Sequence, residues 1–322
     1  MQKKGGGFMT DLTAIGEILI DLTQTGVSPE GICSFAANPG GAPANVAVAA
    51  ARLGASTAFI GTVGRDNFGA ILRSTLAHDR VDCSGLLDCP AATTLAVVSV
   101  DGQGERSFSF LRGADCALEP GQVDTAKIEN SKFLHFGSVS LTAEPARSAT
   151  LFAVQHAREQ GVPVSYDPNY RAALWPSQEE AVYWMTQPLP MVDVLKLSDE
   201  ELPLLTGTED PEQGSRILEE MGISLIFITM GQQGAFLRWQ GQTAHVPGVP
   251  VTVADTNGAG DTFLGAVLRC LTARKSAPLE ELTLEELLPI TRFANHAAAL
   301  TCSRSGAIPA MPTLDELAHL IP

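Results

Sequence analysis

No stretch of the sequence approaches the roughly 20 consecutive apolar residues of a membrane-spanning helix. Positive charge is also scarce, with 21 Lys and Arg against 36 Asp and Glu, a formal net charge of −15. Such a surface repels a nucleic-acid backbone, and no block of Lys or Arg offers a local exception; the acidity reads as a solubility feature. The six cysteines (Cys33, Cys83, Cys89, Cys116, Cys270 and Cys302) include no close Cys-x-x-Cys pair. That argues against structural zinc and a disulfide framework, and points to a reducing cytoplasm. No Gly-x4-Gly-Lys-Ser/Thr occurs, which excludes a P-loop enzyme. No Gly-x-Gly-x-x-Gly follows the first strand, which weakens a dinucleotide oxidoreductase.

What is present is ample material for a core: 45% of 322 residues are hydrophobic, enough for one large domain or two small ones. Met1 to Met9 carries two lysines and three glycines with no apolar run behind them, so it is not a signal peptide. Residues 1–11 are expected to form a disordered tail, with Met9 a candidate start. Strands are expected at Leu12–Asp21, Thr57–Val63, Phe133–Val139, Val162–Tyr166, Val192–Leu197 and Leu225–Thr229. Helical patterns lie between and after them, at Ala44–Leu53, Phe68–His78, Ala146–Gln160, Pro211–Met221, Thr262–Thr272 and Leu284–Cys302. Apolar strands separated by amphipathic helices predict an α/β fold with a mainly parallel sheet covered on both faces. Two segments break the rhythm. Thr23–Asn38 is polar and turn-rich, and Thr94–Val100 with Arg106–Leu111 forms a hairpin pattern around Asp101-Gly102-Gln103-Gly104. They read as a small β flap, residues 22–39 and 92–114, or else as two ordinary surface hairpins.

Strand after strand ends on a small or polar residue: Asp21, Gly61, Ser138, Asp167, Ser198, Thr229. In open α/β sheets the carboxyl ends of strands line the ligand crevice. The sharpest motif is Asp255-Thr256-Asn257-Gly258-Ala259-Gly260-Asp261, followed by the helical Thr262–Ala266. Small residues there let backbone amides converge on an anion at a helix N-terminus. Asp261 in that first turn can accept a hydroxyl proton while the amides stabilise a charged transition state. Simple helix capping by Asp261 is the competing reading, but it leaves the flanking glycines unexplained. A calcium loop fails because Ala266 stands where a bidentate Glu is required. A second motif, Pro39-Gly40-Gly41-Ala42-Pro43-Ala44-Asn45, opens a helix; its glycines permit close approach to a ligand, and Asn45 offers a donor and an acceptor. Gly231-Gln232-Gln233-Gly234 follows the strand Leu225–Thr229 and can shape a nucleotide pocket or merely a hairpin turn.

These two glycine-rich segments, in this order and separation, resemble the two signatures of the ribokinase-like (pfkB) carbohydrate kinase family. The resemblance extends from about Leu12 to Pro309. Within the family the chain is most similar to fructokinases, through Gly16-Glu17-Ile18-Leu19-Ile20-Asp21, Gly40–Asn45 and Asp167-Pro168-Asn169-Tyr170-Arg171-Ala172-Ala173-Leu174-Trp175. It implies a three-layer α/β/α domain over residues 12–322 with a small β lid. It implies Asp261 as catalytic base, with Gly258, Ala259 and Gly260 as the anion hole. Asp21, Gly40, Gly41 and Asn45 would hold the sugar, with Asn169, Arg171 and Arg112 as further contacts. Ser198 and Glu201 fall on an Asn-x-x-Glu motif that organises magnesium and phosphate, although Ser replaces Asn. Thr229, Gly231, Gly234 and Asn295 match nucleotide-binding positions, and Asp255 and Asn257 match a loop that binds a monovalent cation, usually potassium.

The expected function is therefore ATP- and Mg2+-dependent phosphorylation of a sugar hydroxyl, with K+ as a further ion and a homodimer through the lid as the candidate assembly. Fructose is the first candidate, and 2-keto-3-deoxygluconate the second, since Arg112 and Arg171 can serve a carboxylate; a nucleoside-like substrate is more distant. A binding or regulatory protein that kept the fold and lost the reaction is the rival from another class. Intact Gly258–Asp261 argues against it.

Overall fold

The computed structural model describes residues 9–100, 106–274 and 279–322. Thirteen strands are found among these residues. They are β1 (Thr10–Ile15), β2 (Leu19–Val27), β3 (Cys33–Gly40), β4 (Thr57–Gly64), β5 (Asp82–Cys89), β6 (Leu95–Val100) and β7 (Arg106–Leu111). The rest are β8 (Ser131–Gly137), β9 (Val164–Asp167), β10 (Val194–Ser198), β11 (Leu225–Thr229), β12 (Ala235–Trp239) and β13 (Gln242–Val246). A nine-stranded sheet runs β13-β12-β11-β10-β9-β8-β1-β4-β5, and a separate four-stranded sheet runs β3-β2-β6-β7. The large sheet is parallel from β5 to β11, with β12 and β13 added as an antiparallel edge.

Strict alternation along the central strands decides what each face packs against. In β9 and β10, Val164, Tyr166, Leu195 and Leu197 point to one face and join residues of the helices Ala146–Glu159, Gln178–Thr186 and Pro211–Glu220. Val194, Leu225 and Phe227 point to the other, against Val46, Phe263 and Phe293 of the helices Ala42–Arg52, Ala259–Ala273 and Leu284–Cys302. The result is three layers, with the sheet buried on both sides. Tight helix packing on the second face depends on a missing side chain. A Cβ at Gly265 would lie 2.7 Å from Ala49 Cβ and 2.9 Å from Val46 O.

The expected strand Leu12–Asp21 is two strands in different sheets. Gly16, at φ +146°, breaks the apolar run, and a Cβ there would meet Pro43 Cγ at 2.8 Å. β1 begins at Thr10, so Thr10 and Asp11 belong to the sheet and not to a tail. The strand Asp82–Cys89, the helix Gln178–Thr186 and the β12–β13 hairpin have no counterpart in the expected elements. Residues 22–39 and 92–114 do meet: β2 pairs antiparallel with β3 and parallel with β6, which pairs antiparallel with β7. The Asp101–Gly104 turn lies outside the described residues. Among the described residues, no helix is long and apolar enough to cross a membrane.

Candidate active site

The helix Ala259–Ala273 starts from Gly258, whose φ of +77° is a conformation that glycine adopts without steric penalty. Asp261 therefore lies in the first turn, beside amides with no intrahelical partner, and only 6% of it is exposed. Close packing at Gly265 brings the helix Ala42–Arg52 alongside, and Asn45 Nδ2 donates to Asp261 Oδ2 at 2.8 Å. From the loop after β9, Asn169 Nδ2 donates to Oδ1 at 3.4 Å. Asn169 takes a left-handed φ of +43°, and its amide is held by Asp167 Oδ1 at 3.2 Å. Burial pushes the Asp261 carboxyl up to about 6, with the Asp167 charge adding to it; the Asn45 hydrogen bond, Lys196 and Arg171 act the other way.

The first glycine turn is equally constrained. Gly41 has φ +111°, and a Cβ there would lie 2.6 Å from Glu17 O and 2.9 Å from Ile18 Cα. The Asp21 carboxylate lies against Gly40, where any side chain would collide with it. Burial pushes Asp21 up to about 6, opposed by Arg171 and a hydrogen bond from Asn257, while Asp261 adds to the rise. Arg171 itself is exposed, and Nη1 donates to Tyr170 O at 3.0 Å. The turn is held from below by Glu17, a residue the sequence reading left without a role. Ala42 N donates to Glu17 Oε1 at 3.0 Å, and burial pushes this carboxyl up to about 8.

On the far side of Gly258–Gly260 opens a cleft of about 320 Å3. Thr229, Gly231, Gly234, Ala259, Gly260 and Asn295 all line it. Its other wall, Gly248–Val251 and Val253, was missed; the signal was the turn composition of Pro247-Gly248-Val249-Pro250. Asn295 holds that wall, with Nδ2 donating to Val246 O and Pro247 O at 3.1 Å each.

Four expected site residues, Ser198, Glu201, Arg112 and Asp255, are held by partners within the protein. Ser198 does not line the cleft; its hydroxyl and amide donate to Glu201 Oε2 at 3.1 and 2.8 Å. The other Glu201 oxygen accepts from Tyr170 N at 2.6 Å, so Glu201 ties the end of β10 to the loop after β9. Arg112 faces a separate cleft, where it pairs with Asp115 at 2.5 Å and donates to Thr142 Oγ1 at 2.7 Å. Asp255 accepts from Asn257 N at 3.1 Å and from Gly306 N at 3.0 Å, which folds its loop against the segment after the helix Leu284–Cys302. Among the described residues, no group of three or more His, Cys, Asp and Glu side chains gathers to hold a metal.

One charged residue went unnoticed in the sequence. Lys196, on β10, is 6% exposed and donates to Asp167 Oδ2 at 2.9 Å. Burial works against its charge, but Asp167 and Glu201 outweigh it, so the ammonium stays protonated.

A site that joins a nucleotide-sized cleft to a glycine-bounded turn through one buried carboxylate suits phosphoryl transfer to an alcohol. A family model described as pfkB family carbohydrate kinase matches residues 9–314. Fructokinase-1 of Oryza sativa subsp. japonica is 40% identical over 316 residues, covering 96% of this chain and 97% of that one. The crystal structure of fructokinase with bound ATP from Xylella fastidiosa superposes with a TM-score of 0.90 at 33% identity, covering 97% of this chain and 98% of that chain. Fructokinase from Vibrio cholerae O395, in fructose, ADP and calcium ion bound form, superposes with a TM-score of 0.86 at 33% identity, covering 98% and 100%. The three-layer architecture is thus the ribokinase-like fold. A match along nearly the whole length, with both glycine-rich signatures meeting at Asp261, shows that this chain belongs to the pfkB family of carbohydrate kinases.

Proposed function

We propose that this kinase transfers the γ-phosphoryl group of ATP to a hydroxyl of fructose, with Asp261 as general base. The observation that carries the reading is the contact between Asp261 and Asn45 at 2.8 Å, made where Ala259 and Gly260 form one end of the cleft. An alcohol held by Asp21, the Gly40–Gly41 turn, Asn45 and Asn169 would face a phosphate held by the amides of Gly258, Ala259 and Gly260. The hydroxyl proton passes to Asp261 as its oxygen bonds to the γ-phosphorus, the bond to the β–γ bridging oxygen breaks, and ADP leaves. Charge that develops on the transferred group meets amides already in place, which need no reorganisation.

Thr229, Gly231, Gly234 and Asn295 would border the nucleoside end of ATP. Magnesium supplies neutralisation of the phosphate charge when bound with the nucleotide. Glu201 suits an indirect part in this, because both of its oxygens already accept hydrogen bonds from Ser198 and Tyr170. Potassium would be taken by the Asp255–Asn257 loop, whose carboxylate is itself occupied in shaping the loop. The four-stranded sheet would act as a lid that excludes water, so that sugar and not solvent attacks. Its exposed Val27, Ile32 and Phe35 suit a homodimer through that lid. The reading places the enzyme in the cytoplasm, in keeping with six free cysteines.

Fructose is favoured over 2-keto-3-deoxygluconate by the fructokinase relatives and by Arg112, whose charge is already matched by Asp115. The test is ADP release across a sugar panel with magnesium, with and without potassium. Turnover on fructose should exceed turnover on the keto acid. Preference for the keto acid would overturn the substrate, and sugar binding without ADP release would favour a regulatory protein.

A further inference from the structure

Lys196 and Asp167 form a buried ion pair on a sheet face that also carries His135 and Ser165, both buried and joined to each other at 3.3 Å. The register of β9 and β10, with Val194 opposite Ser165 and Leu195 opposite Tyr166, sets Lys196 directly across from Asp167. The side chains are 7% and 1% exposed. Replacing a pair of this kind by well-packed apolar residues is often neutral or stabilising, so core stability alone gives little reason for it. Its position gives a better one. A Cβ at Gly260 would lie 2.7 Å from Lys196 Nζ and 3.4 Å from Cε, so the ammonium lies against the Cα between Ala259 and Asp261.

We propose that Lys196, held by Asp167, is a positioning residue for phosphoryl transfer: its ammonium braces the Gly260 turn from below and balances the Asp167 charge beside Asp261. The inference rests on the reading of Asp261 as base. Lys196 does not itself line the cleft that Ala259 and Gly260 border. It acts on the reacting atoms only through Gly260 and Asp261. Asp167 raises the Asp261 carboxyl and Lys196 lowers it. The other charged groups that bear on Asp261 are Arg171, from the loop after β9, and Asp21, from β2; Asn45 and Asn169 contribute neutral amides.

The experiment measures sugar-dependent ADP release between pH 5 and 8 for Lys196→Met, Asp167→Asn and the double variant, with thermal unfolding as the check on folding. Lys196→Met leaves a buried anion beside Asp261. Its kcat should fall by about tenfold or more with both KM values within about threefold, and its acid limb should move up by about one pH unit. Asp167→Asn should move that limb down. The double variant should return it close to the wild-type position while kcat stays low, because no cation braces the turn. Should Lys196→Met fail to fold, the double variant leaves neither member of the pair buried without its partner and carries the same test. Wild-type kcat in the double variant, or single variants whose acid limbs do not move apart, would overturn the proposal. Asp261→Asn separates the two readings: if it is inactive while the Lys196 variants behave as wild type, only this inference fails.

Discussion

The structure places two carboxyls, Asp21 and Asp261, at about 6, each raised chiefly by burial. This gives a specific form to the pH dependence of the free enzyme, which kcat/KM for the sugar reports. A general base must be ionised to accept the hydroxyl proton, and Asp21 must be ionised to accept hydrogen bonds at full strength from sugar hydroxyls. Protonation of either as pH falls through about 6 therefore removes activity. With one such group, about a tenth of the enzyme stays active at pH 5; with two acting independently, about a hundredth. The log–log slope on the acid side should thus approach two, and Asp21→Asn should reduce it to one while lowering the plateau. The assay is the initial rate of ADP release at sub-saturating fructose and saturating ATP and magnesium, from pH 4.8 to 8, with a control for nucleotide protonation. A kcat/KM at pH 5 equal to that at pH 7.5 would refute the reasoning, since it would mean that neither carboxyl is both raised and required.

Two further expectations follow from the turn and its support. Gly41→Ala forces a Cβ to within 2.6 Å of Glu17 O at a φ of +111°. The partners are backbone atoms, so no rotamer relieves the clash; KM for sugar should rise about tenfold or more while KM for ATP changes less than about twofold. The Glu17 carboxyl is raised to about 8, so the fold keeps a proton that the unfolded chain loses from about pH 4.5 upward. Its contribution to stability therefore declines as pH rises, by about 1.4 kcal/mol per unit until pH 8. Glu17→Gln should remove that decline, and its melting temperature relative to wild type should climb from pH 5 to 8. A difference independent of pH would contradict the assignment.

The parallel core was legible because its strands are short apolar runs and its helices keep a 3.6-residue period. Where local sequence and tertiary role diverge, the reading failed for physical reasons. Gly16 interrupts an apolar run without changing its hydropathy, so one strand was read where the chain passes between two sheets. Asp82–Cys89 carries two aspartates and a glycine in eight residues, and gains its strand conformation from pairing with β4. In β12, Arg238 looks like a surface residue, yet it is 4% exposed and paired with Glu212 and Glu219.

The glycine-rich parts of the site could be read because small residues before a helix have few other uses. Lys196 could not. A lysine within Val194-Leu195-Lys196-Leu197 has the pattern of a solvent-facing position, and its partner Asp167 is 29 residues away in sequence. Only sheet register brings them together. Glu201 shows the opposite lesson: its motif was visible, but not that both of its oxygens would be taken up by backbone amides.

The central claim is that Asp261 takes the proton from the acceptor hydroxyl. Fructose-dependent ADP release by Asp261→Asn, measured at saturating ATP and magnesium, tests it most directly. The account expects kcat to fall by about 10²-fold or more with KM for fructose within a few-fold of wild type. Turnover within about threefold of wild type in a folded variant would contradict it.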